Sequence, residues 1–129
     1  MVASYAKKRQ GATLHDIGFV QQVKLYHEVA AWSGTPPLVI DSDDIRADPE
    51  AMLRKLCTAL GLSFTRSMLR WPAGGNVHDG TWAPHWYGAI HRSTGFEEVE
   101  GPLPVLGGAY ADLVAQALPH YDRLAQVRM

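Results

Sequence analysis

Glycine, aromatic and histidine residues are concentrated in one stretch of this sequence. The stretch reads Gly74-Gly75-Asn76-Val77-His78-Asp79-Gly80-Thr81-Trp82-Ala83-Pro84-His85-Trp86-Tyr87 and is followed by Ser93-Thr94-Gly95-Phe96. Glycine permits positive φ angles and a close approach of the backbone to a ligand, and Trp offers a wide apolar face to a planar group. We therefore predict that Gly74, Gly75 and Trp82 line a binding site. The alternative is a rigid loop whose aromatic side chains fill the core, and this packing role is favoured for Trp86 and Tyr87.

Two further clusters have the residue types of metal ligands but not their spacing. The histidines nearest the glycine-rich stretch are His78, His85 and His91, and the acidic cluster is Asp41, Asp43 and Asp44. The histidines lack the i, i+4 pair of a zinc-binding helix, and the aspartates lack the remaining ligand positions of a calcium loop. Helix capping and solvation of a strand end explain the aspartates better. We expect no metal ion.

Composition and charge place the chain among ordinary globular proteins and narrow its partners. Of 129 residues, 47% are hydrophobic and 19% are charged, and the formal net charge is −1. This balance gives no electrostatic reason to expect a nucleic-acid or membrane partner. Cys57 is the only cysteine, so a disulfide framework is excluded and a reducing cytoplasm is the expected location. The length fits a single domain, residues 1–129.

Apolar periodicity and capping residues predict three long helices, over residues 14–33, 49–60 and 108–125. Asp48 is placed to cap the second helix at its start, Pro49 suits its first position, and Gly61 suits a left-handed cap at its end. Thr13 and Asp16 have the spacing of a capping box for the first helix. Shorter helices are expected over residues 64–71 and 83–92.

The run Leu38-Val39-Ile40 predicts the one firm strand of the chain, because it is short, continuously apolar and partly β-branched. A strand buried on both faces needs partners on both edges, and no second strand is convincing in this sequence. Two interpretations remain open: an all-helical domain with one extended segment, or the second half of an α/β fold. The acidic residues that follow Ile40 favour the α/β interpretation.

The order of motifs along the chain resembles that of the C-terminal half of the P-loop sulfotransferase superfamily, particularly bacterial sulfotransferase-like proteins. The similarity runs from Val2 to about Leu124. The motifs that carry it, in order, are Val2-Ala3-Ser4-Tyr5, Leu38-Val39-Ile40-Asp41-Ser42-Asp43-Asp44-Ile45, Asp48-Pro49-Glu50-Ala51-Met52-Leu53, Leu60-Gly61-Leu62-Ser63-Phe64, Gly80-Thr81-Trp82-Ala83-Pro84-His85-Trp86-Tyr87 and Ser93-Thr94-Gly95-Phe96.

The resemblance implies a doubly wound α/β fold with a parallel sheet, of which this chain is the mainly helical C-terminal portion. It also implies sulfuryl transfer from 3′-phosphoadenosine 5′-phosphosulfate to a hydroxyl or amine of a small-molecule acceptor. Ser4 matches the family's serine for the 3′-phosphate of the nucleotide. The loop from Gly74 to Trp82 matches a second 3′-phosphate loop but lacks its adjacent Arg-Lys, and Arg70 is the candidate replacement.

In that family the phosphate loop and the catalytic base precede the segment matched here. Met1 falls where longer relatives have an interior residue, so we expect a domain without its N-terminal half that is inactive, or nearly so, by itself. The alternative from another class is a non-catalytic binding or interaction domain. Such a domain is expected to form a homodimer or to complete itself on a separately encoded N-terminal half, because unpaired strand edges and apolar helix faces promote association.

Overall fold

The computed structural model describes residues 1–8, 11–99 and 101–129, and its regular elements are helices. The α-helices are α1 (Val2–Lys8), α2 (Phe19–Ser33), α3 (Ser42–Ala47), α4 (Pro49–Ala59), α5 (Ala83–Trp86), α6 (Gly88–Arg92) and α7 (Ala109–Ala125), and a 3-10 helix spans Arg66–Leu69. The chain forms two compact units. The terminal unit comprises Met1–Asp41 and Pro102–Met129, and the central unit comprises Ser42–Gly101.

The terminal unit is built around α7, which packs against α1 and α2. Its buried cluster consists of small and aliphatic side chains: Val2, Ile17, Leu113 and Ala117. Phe19 and Tyr110 border this cluster, and the Phe19 ring meets Tyr121 edge-on at a centroid distance of 6.2 Å. The predicted helix over residues 108–125 is confirmed, because its apolar spacing is what lets α7 cover two neighbours at once.

The first long helix begins later than predicted. Thr13 and Asp16 do form reciprocal bonds: Thr13 N–H donates to Asp16 Oδ2 at 2.9 Å, and Asp16 N–H donates to Thr13 Oγ1 at 3.3 Å. These bonds close a turn and not the first turn of α2, since Gly18 follows with a left-handed φ of 76°. Helix α2 therefore begins at Phe19, and the predicted start at residue 14 is wrong.

The predicted strand Leu38–Ile40 does not form in this structure. The run has no ladder partner, and the only β feature among the described residues is an isolated antiparallel bridge between Arg70 and Gly95. Instead, Val39 C=O accepts the Met129 N–H at 3.1 Å. Apolar, β-branched sequence favours an extended backbone, but a strand also requires a second strand to bond with, and the described chain supplies none.

Helix α4 anchors the central unit and follows its sequence signals closely. Asp48 accepts the Ala51 N–H at 3.0 Å, and Pro49 occupies the first turn. At the other end Gly61 has a φ of 67°, and Leu62 N–H donates to Cys57 C=O at 2.8 Å. The predicted helix over residues 49–60 is thus confirmed. The Cys57 side chain is buried, so its thiol belongs to the core of this unit.

The predicted helix over residues 83–92 is interrupted. It forms two short helices, α5 and α6, which meet at Tyr87. The core role expected for Trp86 and Tyr87 is wrong, because both side chains are exposed. Ala83 alone is buried in α5, and such short helices present too small a face to bury two large rings. The region predicted as a helix over residues 64–71 forms only the 3-10 helix.

Candidate functional site

The glycine-rich loop of the central unit, residues 74–82, is held against α6 by His91. Gly74 N–H donates to the backbone C=O of His91 at 2.7 Å. The His91 ring donates through Nε2 to Asp79 Oδ2 at 2.8 Å, because an ionised carboxylate only accepts. One residue of α6 therefore fixes the loop at its first glycine and again at Asp79, which is five residues further on.

Asp79 is the polar centre of this loop. The oxygen that accepts from His91 also accepts the Asn76 N–H at 2.8 Å. The Asn76 bond lowers the pKa of the Asp79 carboxyl below its usual value, partial desolvation opposes this effect, and the bond and charge of His91 lower it further. The carboxylate is consequently ionised near neutral pH, and its charge stabilises the loop in the conformation that the structure shows.

The two glycines at the start of the loop are required for different reasons. Gly74 has a φ of 134°, a backbone conformation that residues with a side chain rarely adopt, and there is open space where a Cβ would lie. Gly75 is not among the glycines with a positive φ, but a Cβ there would lie 3.2 Å from Cε1 of the His91 ring. The conformation at Gly74 and the proximity at Gly75 together give the loop its path past α6.

Trp82 ends the loop and presents its indole to solvent. Its side chain is 70% exposed, while its backbone C=O accepts the N–H groups of His85 and Trp86 at 3.0 and 3.2 Å. The backbone is therefore fixed at the start of α5 although the ring is uncovered. The exposed indole is accessible to a planar ligand, which could stack on its face.

A second set of contacts, around Trp71, joins the segment before the loop to the segment after α6. Trp71 N–H donates to Thr94 C=O at 3.2 Å, and Trp71 Nε1 donates to Ser93 Oγ at 3.0 Å. The Trp71 ring meets Phe96 edge-on at a centroid distance of 5.4 Å. These contacts give Trp71 the packing role considered for the tryptophans, and they hold Arg70 opposite Gly95 in the antiparallel bridge.

A cleft of about 640 Å³ opens beside the Trp71 contacts within the central unit. Its lining residues are Asp48, Pro49, Glu50, Leu69, Arg70, Arg92, Ser93, Thr94, Gly95, Phe96 and Glu97. Arg70 and Arg92 enter it from different segments, and in the described part of the chain neither forms an ion pair. The cleft is therefore lined by two arginines that pair with no described carboxylate.

Two of the three acidic residues in the cleft have partners of their own. Glu50 Oε1 pairs with Arg54 at 2.7 Å, on the same face of α4. Asp48 is the cap of α4, so its carboxylate is engaged by the backbone. Glu97 is exposed and has no ion pair among the described residues. The charges left unmatched in the cleft are thus those of two arginines and one glutamate.

The structure places four of the five residues predicted to bind a ligand in the central unit. Arg70 lines the cleft, Gly74 and Gly75 lie against His91, and Trp82 closes the loop. Ser4 belongs to the terminal unit, where it is exposed on α1 and its N–H donates to Met1 C=O at 3.0 Å.

Sequence reasoning missed the parts played by His91 and Arg92. His91 was considered only as a metal ligand, and its partner Asp79 lies twelve positions away, a separation with no periodic signal. Arg92 stands immediately before the Ser-Thr-Gly-Phe motif, and that position is the only sequence signal for it. No group of three metal-ligating side chains occurs among the residues that the structure describes.

Comparison with known proteins identifies the family. A model of the family described as "Sulfotransferase domain" matches residues 1–128. The chain belongs to this family. The predicted membership is thereby confirmed, and a sulfotransferase domain implies a P-loop-like fold. Sulfotransferases of this kind generally use 3′-phosphoadenosine 5′-phosphosulfate and a small acceptor.

Two plant proteins from Arabidopsis thaliana are similar to this sulfotransferase-family chain. Branched-chain-amino-acid aminotransferase-like protein 2 is 40% identical over 118 residues, which is 92% of this chain and 21% of the relative. Branched-chain-amino-acid aminotransferase-like protein 1 is 40% identical over 109 residues, which is 84% of this chain and 20% of the relative. The chain thus spans about a fifth of the length of these relatives. No solved structure matches it significantly.

Proposed function

We propose that this chain forms the C-terminal portion of a sulfotransferase and contributes to binding its nucleotide co-substrate, 3′-phosphoadenosine 5′-phosphosulfate. Both units would then belong to one domain over residues 1–129, whose doubly wound parallel sheet requires strands from additional sequence. The family match supports the class of ligand. The observation that carries the proposal is the loop from Gly74 to Trp82, which is fixed by His91 and ends in an exposed indole.

The features of this loop suit a nucleotide. Trp82 offers a flat apolar face for a purine ring, and the path of Gly74 and Gly75 brings backbone close to whatever lies beside it. Arg70 supplies a planar guanidinium, which binds phosphate through two parallel N–H donors. Ser4, in the terminal unit, is proposed separately as a phosphate contact, with its hydroxyl as the donor.

Sulfuryl transfer is in-line attack by an acceptor oxygen or nitrogen on sulfur, and the nucleotide phosphate is the leaving group. The reaction requires donors for the negative charge that develops on the leaving group and a base beside the acceptor. The 129-residue sequence contains no glycine-rich phosphate-loop motif. We therefore expect the isolated chain to bind the nucleotide weakly and to transfer no sulfuryl group at a measurable rate.

A fluorescence titration tests nucleotide binding directly. The ligand is 3′-phosphoadenosine 5′-phosphate, the desulfated nucleotide, and the signal is tryptophan emission. We expect a Kd of about 1 mM or weaker, equivalent to about −4 kcal/mol. Trp82→Ala should weaken binding roughly tenfold, because base stacking on an aromatic side chain contributes about 1–3 kcal/mol.

Trp32→Ala is the matched control, since Trp32 is 88% exposed on α2 in the terminal unit. Circular dichroism of each variant establishes that it is folded. Equal effects of the two substitutions on nucleotide affinity would show that the loop is not part of the nucleotide site. A folded wild-type chain that shows no response to the nucleotide would refute the proposed function.

A second candidate function is a non-catalytic domain that binds another polypeptide. The observation that favours it is uncovered apolar surface in the terminal unit: Leu103 is 83% exposed and Val105 is 100% exposed. The Leu38–Ile40 run forms no strand in the described part of the chain, and Val39 C=O accepts the Met129 N–H. Size-exclusion chromatography with light scattering distinguishes the candidates, since a monodisperse monomer at high concentration argues against a homodimer.

Two further expectations remain proposals. The absence of a disulfide framework in a sequence with one cysteine supports a cytoplasmic location, and no described helix is long and apolar enough to cross a membrane. The names of the plant relatives describe proteins about five times as long as the matched segment. No aminotransferase activity is therefore proposed for this chain.

A further inference from the structure

Asp79 and Gly80 form a dipeptide whose backbone can react with its own side chain. It is the only Asp-Gly pair in the sequence, which contains no Asn-Gly pair. In such a pair the amide nitrogen of the second residue can attack the carboxyl carbon of the first and close a cyclic imide, a succinimide. Glycine favours this ring closure, because it has no Cβ to crowd the nitrogen or to restrict the backbone.

The structure leaves the Gly80 side of this pair open. The pair lies between two turns, which are closed by the bonds from Asp79 N–H to Asn76 C=O at 2.9 Å and from Ala83 N–H to Gly80 C=O at 3.0 Å. Gly80 N–H donates to no acceptor in the described part of the chain. Gly80 is exposed, and no atom lies within 4 Å of the place where its Cβ would be. Its nitrogen is therefore not engaged in a hydrogen-bonded element, and its α-carbon is uncrowded.

The carboxyl group of Asp79, in contrast, is held in place. Its Oδ2 accepts the Asn76 N–H and His91 Nε2–H, both at 2.8 Å. The Asn76 bond lowers the pKa of the Asp79 carboxyl, partial desolvation opposes this effect, and the bond and charge of His91 lower it further. These bonds favour the carboxylate, whereas ring closure consumes the neutral acid, which can lose water. The folded loop therefore slows a reaction that its sequence favours.

We propose that Asp79–Gly80 is a site of spontaneous succinimide and isoaspartate formation, and that the bond from His91 to Asp79 keeps the reaction slow in the folded chain. In the first step the Gly80 nitrogen bonds to Asp79 Cγ and releases its proton, while a Cγ–O bond breaks and the oxygen leaves as water. In the second step water opens the imide. Cleavage between nitrogen and the Asp79 backbone carbonyl carbon gives isoaspartate, and cleavage between nitrogen and Cγ regenerates aspartate. Water is the only molecule lost or gained.

Isoaspartate would change the contacts of the loop with α6. The chain would then run through the side-chain carbonyl of residue 79, which adds one methylene carbon to the backbone, and the free carboxylate would be attached to Cα. That carboxylate no longer lies where it accepts from both His91 and Asn76. The consequence for nucleotide binding rests on the proposed function, whereas the modification itself does not.

Peptide mapping of the full chain tests the proposal. The protein is aged at neutral pH in heavy-oxygen water and digested in ordinary water, because opening of the imide adds one solvent oxygen to residue 79. His91→Phe keeps a planar ring but removes the donor, and it should raise labelling of residue 79 about tenfold, the order expected for one charge-assisted hydrogen bond. His91→Gln keeps an N–H donor and should stay close to the wild type.

His27→Phe is the matched control, since it makes the same change at an exposed position of α2 in the terminal unit. It should leave the labelling of residue 79 unchanged. Circular dichroism checks that each variant is folded. Equal labelling of residue 79 in the wild type and in folded His91→Phe would overturn the proposal.

Two further measurements keep the test decisive if His91→Phe fails to fold. The wild type unfolded in urea should label residue 79 about tenfold faster than the folded wild type, or more, because unfolding removes both bonds to the carboxylate. Gly80→Ala should lose most of this labelling even in urea. Gly80 is not among the glycines with a positive φ and has open space for a Cβ, so this variant should fold normally. Equal rates in folded and unfolded wild type, or labelling of the unfolded wild type no greater at Asp79 than at Asp112, would refute the proposal.

The aged samples separate this proposal from the nucleotide proposal. Under the proposed function, the fraction of the chain that binds 3′-phosphoadenosine 5′-phosphate should fall in step with the isoaspartate content of residue 79. A fresh, folded wild-type chain that binds no nucleotide would refute the proposed function, and the labelling of residue 79 would still decide whether the modification occurs.

Discussion

The two units of the chain are stabilised by different kinds of interaction. In the terminal unit, α7 covers α1 and α2 through a cluster of Val2, Ile17, Leu113 and Ala117. In the central unit, polar bonds among backbone, ring nitrogens and one carboxylate join the segments after α4, together with the edge-on contact of Trp71 and Phe96. Apolar packing fixes helices broadly, whereas directional bonds fix individual atoms. The candidate site lies in the unit whose contacts determine positions atom by atom.

The largest expected effect is the loss of stability when a buried apolar side chain of α7 is truncated. Leu113→Ala should lower the free energy of unfolding by about 2–5 kcal/mol, because it leaves a cavity beneath α7. Leu113 is 4% exposed. Leu118→Ala on the same helix, where Leu118 is 50% exposed, should change stability by about 0.5 kcal/mol or less. Urea denaturation measures both, and similar losses would show that α7 packs differently.

A smaller effect is expected from the cap of α4. Asp48→Ala removes the acceptor of the Ala51 N–H and should cost about 1 kcal/mol of stability. The matched substitution Asp112→Ala lies in the first turn of α7, where it removes a favourable charge and should cost about 0.3–1 kcal/mol. Denaturant titration of both proteins ranks them, and an equal or reversed order would remove the special role of Asp48.

The ring contacts beside the cleft should each be worth about as much as one hydrogen bond. Ser93→Ala leaves Trp71 Nε1 without its acceptor and should lower stability by about 1 kcal/mol. Ser67→Ala is the control, since among the described residues the Ser67 hydroxyl bonds to the exposed Thr65 hydroxyl and to no indole. A blue or red shift in Trp71 emission that accompanies Ser93→Ala, but not Ser67→Ala, would show that the indole environment changes.

The smallest expected effect is a local response to acid in the glycine-rich loop. The folded-state pKa of Asp79 is below its ordinary value of 3.8, so ionised Asp79 stabilises the loop above that value. This contribution is lost as the pH falls through the lower folded value. The Asn76 amide resonance should move over that range in NMR spectra, while Asp79→Asn should abolish the titration. A movement centred above 3.8 in the wild type would contradict the sign.

Local signals in the sequence predicted α4 and α7 well, because the causes of these helices are local. Asp48, Pro49 and Gly61 lie at the ends of α4, and each acts within one turn of itself. The start of α2 was missed because Thr13 and Asp16 form the bonds of a capping box even when Gly18 ends the turn. The prediction of a strand at Leu38–Ile40 was wrong because a strand must bond with a second strand, whose residues lie elsewhere in the chain.

The candidate site was predicted only in part for the same physical reason. Glycine and tryptophan composition located the loop, and the family resemblance gave Arg70. The pairing of Asp79 with His91 and the shared cleft of Arg70 and Arg92 depend on the path of the chain around Trp71. No local spacing in the sequence encodes that path, so the proximity of these residues is visible only in the folded chain.

Gly74 and Gly75 differ in whether a later change can compensate for their loss. A side chain at residue 75 would crowd the His91 ring, and a smaller residue at position 91 would relieve that crowding at the expense of the Asp79 contact. A side chain at residue 74 would strain its own backbone, and no substitution elsewhere removes that strain. Among related sequences, residues 75 and 91 should therefore vary together, whereas residue 74 should stay glycine.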